Sequence, residues 1–486
     1  MSPTPAETNQ PTETPQVATH RSHGSLGVLV GGWAVILGIC AFAMGLFGAD
    51  PEVGVSAEAG DREAPIGVAE EMSGRMSLAL AGMMPEDQRD MVVEMSGLLG
   101  GGFSSAMEVG PRRRLASAVL EAEVNSPAAA LNRMPETLDE TDSGALEAAR
   151  VWMTGALEAM RDGRDVPVPS TEVEATLRDE LGWFGDVAAD WVMPPWAPSR
   201  KARAVAAERT LLALGVFAAW FALMGLIGLG VGLAMVVLMA LGRVRARVVS
   251  RDCGGPFGTV YLETFVIWML VFFGGQVLLS VLSAEVGMLG PAALFIASLG
   301  ALGWPVLRGL APGQVAEDVG LRWGRWWTSP LAGLGTYALG LPLIVCGLLL
   351  AVVVAQLLPG AAPPEHPIQE EIASAGLGGV LALVVLAAVI VPPVEEIFFR
   401  GVLYRHLREL WGRCGSAVAV VLSIGLSSLL FAALHPQGVT FIPVLGALAV
   451  AFAISREVTG SIWPATIAHG LSNGVVVALN AVLFAS

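Results

Sequence analysis

Lysine is almost missing from this chain of 486 residues. It occurs once, at Lys201, and arginine carries the rest of the positive charge. Cysteine is sparse too, with four residues in all. Cys40 and Cys346 sit in apolar runs, and Cys253 and Cys414 in polar turns. That scatter excludes a disulfide framework and the paired spacing of a structural zinc site. Charged residues amount to 15% against 54% hydrophobic, which is not the balance of an ordinary soluble domain. The net charge is −15, and no basic patch of the size that nucleic-acid binding needs is present. Nucleic acid is therefore not an expected partner.

The little charge there is falls unevenly. Between residues 50 and 198 stand 28 acidic residues against 11 arginines, a net −17 that leaves the remainder near neutral. Such asymmetry predicts a separate acidic domain attached to an apolar one. Residues 1–24 are rich in Pro, Thr and Gln without a hydrophobic pattern, and read as a disordered leader. A first apolar run, Leu26 to Phe47, follows and reads as an uncleaved anchor spanning 25–48, because no small-x-small cleavage site succeeds it. Within 49–207 the segments Ile66–Leu80, Glu86–Leu99, Pro111–Glu123 and Asp142–Asp162 show helical periodicity, broken at Gly100-Gly101-Gly102. They predict a small acidic helical domain. Met72 with Met76, and Met91 with Met95, fall one turn apart and read as core rather than as a peptide groove.

Eight further apolar runs follow, at about 210–241, 259–282, 287–307, 331–357, 376–394, 415–434, 438–454 and 461–485. Most of them reach bilayer-spanning length, roughly 18 to 25 residues. The expected fold class is all-α: a polytopic membrane helix bundle with an acidic helical extramembrane domain. Membrane helices occupy 208–374, and a distinct core occupies 375–486. The connections sort by charge. Arg243, Arg245, Arg247 and Arg251 follow the second run; Arg308, Arg322 and Arg325 the fourth; Arg405, Arg408 and Arg413 the sixth; and Arg456 the eighth. The alternate connections, near Glu285, at Glu365 to Glu371 and at Pro436 to Gly438, hold no arginine or lysine. The arginine side is the cytoplasmic one, which puts the acidic domain outside. Arg200, Lys201, Arg203 and Arg209, at the outer end of the second run, run against this pattern.

Three polar islands interrupt the last helices. Glu395-Glu396 is followed by Arg400; Phe431 by His435; His469 by Asn473. Ionisable groups in a hydrocarbon layer are costly and mark protein interiors or wet cavities. Glu396 and Arg400 lie one turn apart with the acid first, the better orientation for an ion pair. Glu395 points about 100° around the helix, free for proton transfer. His469 and Asn473 share a face, two donors aimed at one point and suited to an oxyanion. Each island alone also reads as an interfacial salt bridge, a helix-capping histidine or an interhelical hydrogen bond. A proton-relay transporter is a further reading, but no inverted repeat supports it.

Together the islands Glu395-Glu396-Ile-Phe-Phe-Arg400, Phe431-Ala-Ala-Leu-His435 and His469-Gly-Leu-Ser-Asn473 resemble the CAAX prenyl protease and bacteriocin-processing (CPBP) family of intramembrane proteases. The resemblance covers 375–480. It implies an endopeptidase hydrolysing a peptide bond of a membrane-associated protein or peptide. Glu395 and His435 would activate water, His469 and Asn473 would stabilise the oxyanion, and Glu396 and Arg400 would brace the site. The family's metal-dependent label implies one zinc ion on Glu395, His435 and His469; a metal-free glutamate–histidine mechanism needs no cofactor. A non-catalytic immunity or scaffold protein that keeps the fold is the alternative. The arginine-for-lysine bias points to a bacterial source with a GC-rich genome, hence an inner or plasma membrane. The expected partners are the lipid bilayer and a protein or peptide substrate.

The topology is directly testable. A reporter fused after Gly102 is expected to read extracytoplasmic and one after Arg247 cytoplasmic. The same side for both removes the second span.

Overall fold

The computed structural model describes residues 26–48, 66, 68–84, 110–138, 144–194, 196–248, 258–281, 289–324, 327–358, 372, 376–414 and 416–484. The leader, the periodic segment 86–99 with its Met91–Met95 pair, the side chain of Met72 and the connections at Glu285 and at Glu365 to Glu371 lie outside them. Among the described residues no strand occurs. The helices are α1 (Leu26–Gly48), α2 (Val68–Met83), α3 (Pro111–Val124), α4 (Pro127–Arg133), α5 (Gly144–Arg161), α6 (Thr171–Leu181), α7 (Trp183–Ala189) and α8 (Pro198–Ala240). Then come α9 (Val260–Val281), α10 (Leu289–Leu307, with a tighter turn inside it), α11 (Pro312–Val319), α12 (Thr328–Leu357), α13 (Leu377–Leu410), α14 (Ser416–Ala433), α15 (Ile442–Thr459) and α16 (Trp463–Phe484).

Nine helices among the described residues are long and apolar enough to cross a membrane, and each covers one of the nine apolar runs. Two depart from the expected bounds. The sixth run stops at 394 in hydropathy, but α13 continues to Leu410. Arg400, Arg405 and Arg408 in its later turns are paired and buried, so the helix does not end where apolarity does. The second run begins at 210, but α8 begins at Pro198 and has 43 residues. At 1.5 Å per residue that is about 65 Å, twice the roughly 30 Å of a hydrocarbon core. The boundary expected at 207/208 thus falls inside one continuous helix.

The overhang of α8 accounts for its anomalous arginines. Arg203 lies 2.6 Å from Asp190 and Arg200 3.4 Å from Glu123. Glu123 also accepts from the Trp191 indole N–H at 3.0 Å. These arginines answer the acidic helices, so they carry no information about the cytoplasmic side. The acidic helices α2–α7 close around their own core of Leu115, Val119, Leu146, Met153, Leu157, Leu177, Leu181 and Phe184. Caps set their ends: Ser126 accepts from the N–H of Ala129 with Pro127 at the first position of α4, and Ser170 accepts from Val173 ahead of α6,. The core is built mainly from Leu, Ala and aromatics, with Met153 as its fully buried methionine.

In the apolar part, α12 packs against α8, α15 and α16, and α14 against α15. The arginine-bearing ends gather at one end of the bundle. Arg408 reaches Glu457 at 3.1 Å and the carbonyl oxygen of Val248 at 3.2 Å. Arg405 lies 3.7 Å from Asp318. Residues following the second, fourth, sixth and eighth spans therefore meet, as the charge alternation requires of a shared side.

Residues 50–200, expressed alone, are expected to give a soluble fragment with a helical far-UV spectrum, because their apolar positions close on themselves. A flat spectrum, or insolubility in every buffer, argues that the domain depends on the membrane helices.

Candidate active site

Helix α13 carries the two glutamates in its middle third. Two wide π-type turns, Val385–Ile390 and Ile397–Leu403, flank the short α-helical stretch that holds them. Such turns inside α-helices concentrate at functional sites. The local sequence explains the first. Pro392 and Pro393 have no N–H to return to the preceding turn, and their rings crowd its carbonyls. The freed backbone is used from outside: Asn473 of α16 donates from Nδ2 to the carbonyl oxygen of Ala387 at 2.9 Å. Gly470 lets α16 come that close, since a Cβ there would stand 2.4 Å from the carbonyl oxygen of Ala388. His469, next in sequence, is thereby delivered to the glutamates.

At the centre is a fully buried ion pair. Arg400 Nη1 lies 2.8 Å from Glu396 Oε1, and neither side chain is exposed. Arg400 also donates to the carbonyl oxygen of Ala449 at 3.3 Å. Its guanidinium carbon lies 4.4 Å from the ring centre of Phe431 and 5.2 Å from that of Phe452. Aromatic faces on a desolvated cation replace part of the lost hydration. The same Glu396 oxygen lies 3.0 Å from His469 Nδ1. A carboxylate already accepting from Arg400 takes a proton donated by Nδ1, so Nε2 is the nitrogen that faces onward. It points at Glu395, 3.7 Å from Oε2. That gap is beyond a hydrogen bond, and Glu395 Oε2 has no hydrogen-bond partner among the described residues. Glu395 is also the more open acid, with 14% of its side chain exposed against none for Glu396.

Phe431 joins the second island to this centre. Its ring lies 5.6 Å from that of His469, 5.1 Å from Phe399 and 4.3 Å from His435. His435 follows the end of α14, and its Nδ1 lies 2.6 Å from the carbonyl oxygen of Phe431. Carbonyl oxygens only accept, so Nδ1 carries the proton and Nε2 offers its lone pair. The length of α13 also sets the level of the site. The glutamates are mid-helix, and the end of α14 meets that level at Phe399 and Phe431.

The structure thus brings Glu395, Glu396, Arg400 and His469 into one cluster. It adds His435 across the Phe431 ring and turns Asn473 to the backbone beside the glutamates. Phe452, stacked on His469 at 5.2 Å, and Arg456, donating from Nε to the carbonyl oxygen of Arg400 at 3.0 Å, have no counterpart in the sequence reading. Phe452 is one aromatic in an apolar helix, and Arg456 reads as a topology marker. Their spacing of four residues is the only signal that they share a face.

Of the expected ligands, Glu395 and His469 approach to 3.7 Å, with His435 across the Phe431 ring. Among the described residues no group of three or more His, Cys, Asp or Glu side chains is placed to hold a metal ion. His435 and His469 each place Nδ1 on another partner, which leaves Nε2 as the nitrogen of each that could bind a metal ion,.

These features define a polytopic helical membrane protein with a buried carboxylate–histidine–arginine centre. Residues 377–475, the stretch that contains every one of these groups, match the family model of the type II CAAX prenyl endopeptidase Rce1-like proteins. Searches of curated proteins and of solved structures give no match to this chain.

Glu396→Gln is expected to leave Arg400 buried without its counter-charge, a defect that typically costs about 3–5 kcal/mol. Thermal unfolding in detergent checks this, and a melting temperature equal to that of the unaltered protein contradicts the bracing role.

Proposed function

We propose that the protein is an intramembrane endopeptidase that hydrolyses a peptide bond of a membrane-associated protein or peptide. The match of residues 377–475 to a peptidase family model supports the reaction class. The observation that carries the assignment is the inequality of the two glutamates. One oxygen of Glu396 is held by both Arg400 and His469, whereas Glu395 has neither at hydrogen-bond distance, is the more exposed acid and stands with Oε2 3.7 Å from the His469 imidazole.

In this reading Glu395 is the general base that takes a proton from the attacking water. His435, with its lone pair on Nε2, helps to hold that water. His469 is kept in place through Nδ1 by Glu396, much as a buried acid orients a catalytic imidazole. Protonated at both ring nitrogens between Glu396 and Glu395, it donates from Nε2 to the oxyanion of the tetrahedral intermediate, and Glu395 passes the proton taken from water to the departing amine. Asn473 has a second N–H beyond the one given to Ala387, and is the further oxyanion donor. Arg400 and Glu396 brace the site without touching substrate. The mechanism proposed is the metal-free one, in which no step passes through a metal ion. The membrane is proposed to be the inner or plasma membrane of a bacterium, with the acidic helices outside.

Glu395→Gln keeps shape and removes proton abstraction, so cleavage of a natural substrate in membranes is expected to fall by about 100- to 10,000-fold. Thermal stability should be unchanged. Asn473→Ala is expected to slow turnover by about 100-fold. Full activity in Glu395→Gln defeats the assignment and favours a scaffold that retains the fold.

Chelation is expected to leave the purified enzyme active. Stoichiometric zinc, lost together with activity in His435→Ala, would falsify the metal-free reading.

A further inference from the structure

A cavity of about 690 Å³ lies at the arginine end of the bundle, outside the carboxylate–histidine centre. Four arginines line it: Arg247 after α8, Arg322 after α11, Arg405 in α13 and Arg456 in α15. Two acids, Glu317 and Asp318, line it as well, so the walls are net positive by two charges. The acids are already engaged. Asp318 accepts from the Tyr261 hydroxyl at 2.8 Å and faces Arg405 at 3.7 Å, and Glu317 lies 3.5 Å from Arg322. Arg405 is further paired with Glu409 at 2.8 Å.

Arg456 and Arg247 are different. Arg456 is 3% exposed, and its donors go to two backbone carbonyls, those of Arg400 and of Asp318, the latter at 2.8 Å. Among the described residues neither Arg456 nor Arg247 has a carboxylate within ion-pair distance. A guanidinium bonded only to neutral carbonyls, in a wall where the carboxylates are spoken for, is left with a charge to balance. The room for it is made by Gly320, whose left-handed φ of 85° and missing Cβ admit the guanidinium; a Cβ would stand 2.7 Å from its carbon.

The backbone adds to this field. The first turn of α12, at Thr328 and Ser329, lines the cavity and has no side-chain cap. The entry to α16, at Ser461 and Pro464, lines it too. Both helices present the positive ends of their dipoles there. Trp323, on the cavity wall, meets Trp463 with ring centres 4.6 Å apart. Tryptophans beside arginines at span ends mark the headgroup level of a bilayer.

We propose that this cavity binds a phosphate group at the arginine face of the membrane, carried either by an anionic phospholipid headgroup or by a soluble phosphate. Guanidinium groups match phosphate oxygens in forked geometry. A phosphodiester supplies the negative charge that Arg247 and Arg456 lack, and 690 Å³ admits a headgroup.

The test uses the full chain in neutral detergent, with melting temperature as the readout. One arm adds phosphatidylglycerol against phosphatidylcholine; the other adds inorganic phosphate against chloride at equal ionic strength. Binding is expected to raise the melting temperature by about 2–4 °C or more at saturation. Response to phosphatidylglycerol alone identifies a lipid headgroup, and response to inorganic phosphate identifies a soluble source. Arg247 and Arg322 are exposed, so the double variant Arg247→Gln with Arg322→Gln should fold. It is expected to weaken the response about tenfold or more in ligand concentration. The charge-keeping pair Arg247→Lys with Arg322→Lys should recover most of it. No stabilisation by either probe, or an equal response in the glutamine variant, overturns the site.

Discussion

The polar centre in the last membrane helices is arranged around one buried cation. Arg400 has no access to water, and a guanidinium in that position is tolerable only if its charge is balanced and its faces are covered. Glu396 balances it at 2.8 Å, and Phe431 and Phe452 cover it. Each of these partners then does a second thing. Glu396 holds His469, Phe431 backs His435, and Phe452 stacks on His469. The constraint of hiding one charge thereby fixes the positions of both histidines.

Helix α13 can carry this load because it is not a regular α-helix. The prolines at 392 and 393 prevent regular hydrogen bonding in the turn before the glutamates, and the chain widens instead of breaking. A carbonyl released there is taken by Asn473, and the thin edge left by Gly470 lets the two helices touch. Backbone irregularity inside a membrane is permitted only where protein partners satisfy it. Here the partner that does so belongs to the same helix as His469. A change at Asn473 therefore acts on the site in two ways, by removing a donor and by releasing the turn that carries the glutamates.

The polar network continues from this centre toward the arginine end of the bundle. Arg456 ties the backbone of Arg400 to that of Asp318. Tyr404 and Arg408 meet on Glu457, at 2.7 and 3.1 Å. The arginines that mark topology in the sequence are thus also internal struts between the ends of separate spans. This explains why α13 runs on beyond its apolar stretch: its last turns are charged but are buried among partners.

The sequence by itself determined the helical membrane class, the nine spans and the three islands of chemistry. These depend on local quantities: run length, one-turn spacings of four residues, and the scarcity of charge in apolar surroundings. The Glu396–Arg400 pair was legible for that reason, since both ends lie on one helix. It was silent on partnerships between helices. That Glu396 rather than Glu395 takes His469, that Asn473 turns to the backbone of Ala387, that Phe452 and Arg456 join the site and that Arg200 and Arg203 answer the acidic domain all depend on which faces meet. Hydropathy also ended α13 too early and began α8 too late. It scores a residue by its type, whereas the position of a helix end is decided by whether its polar groups find partners in the fold.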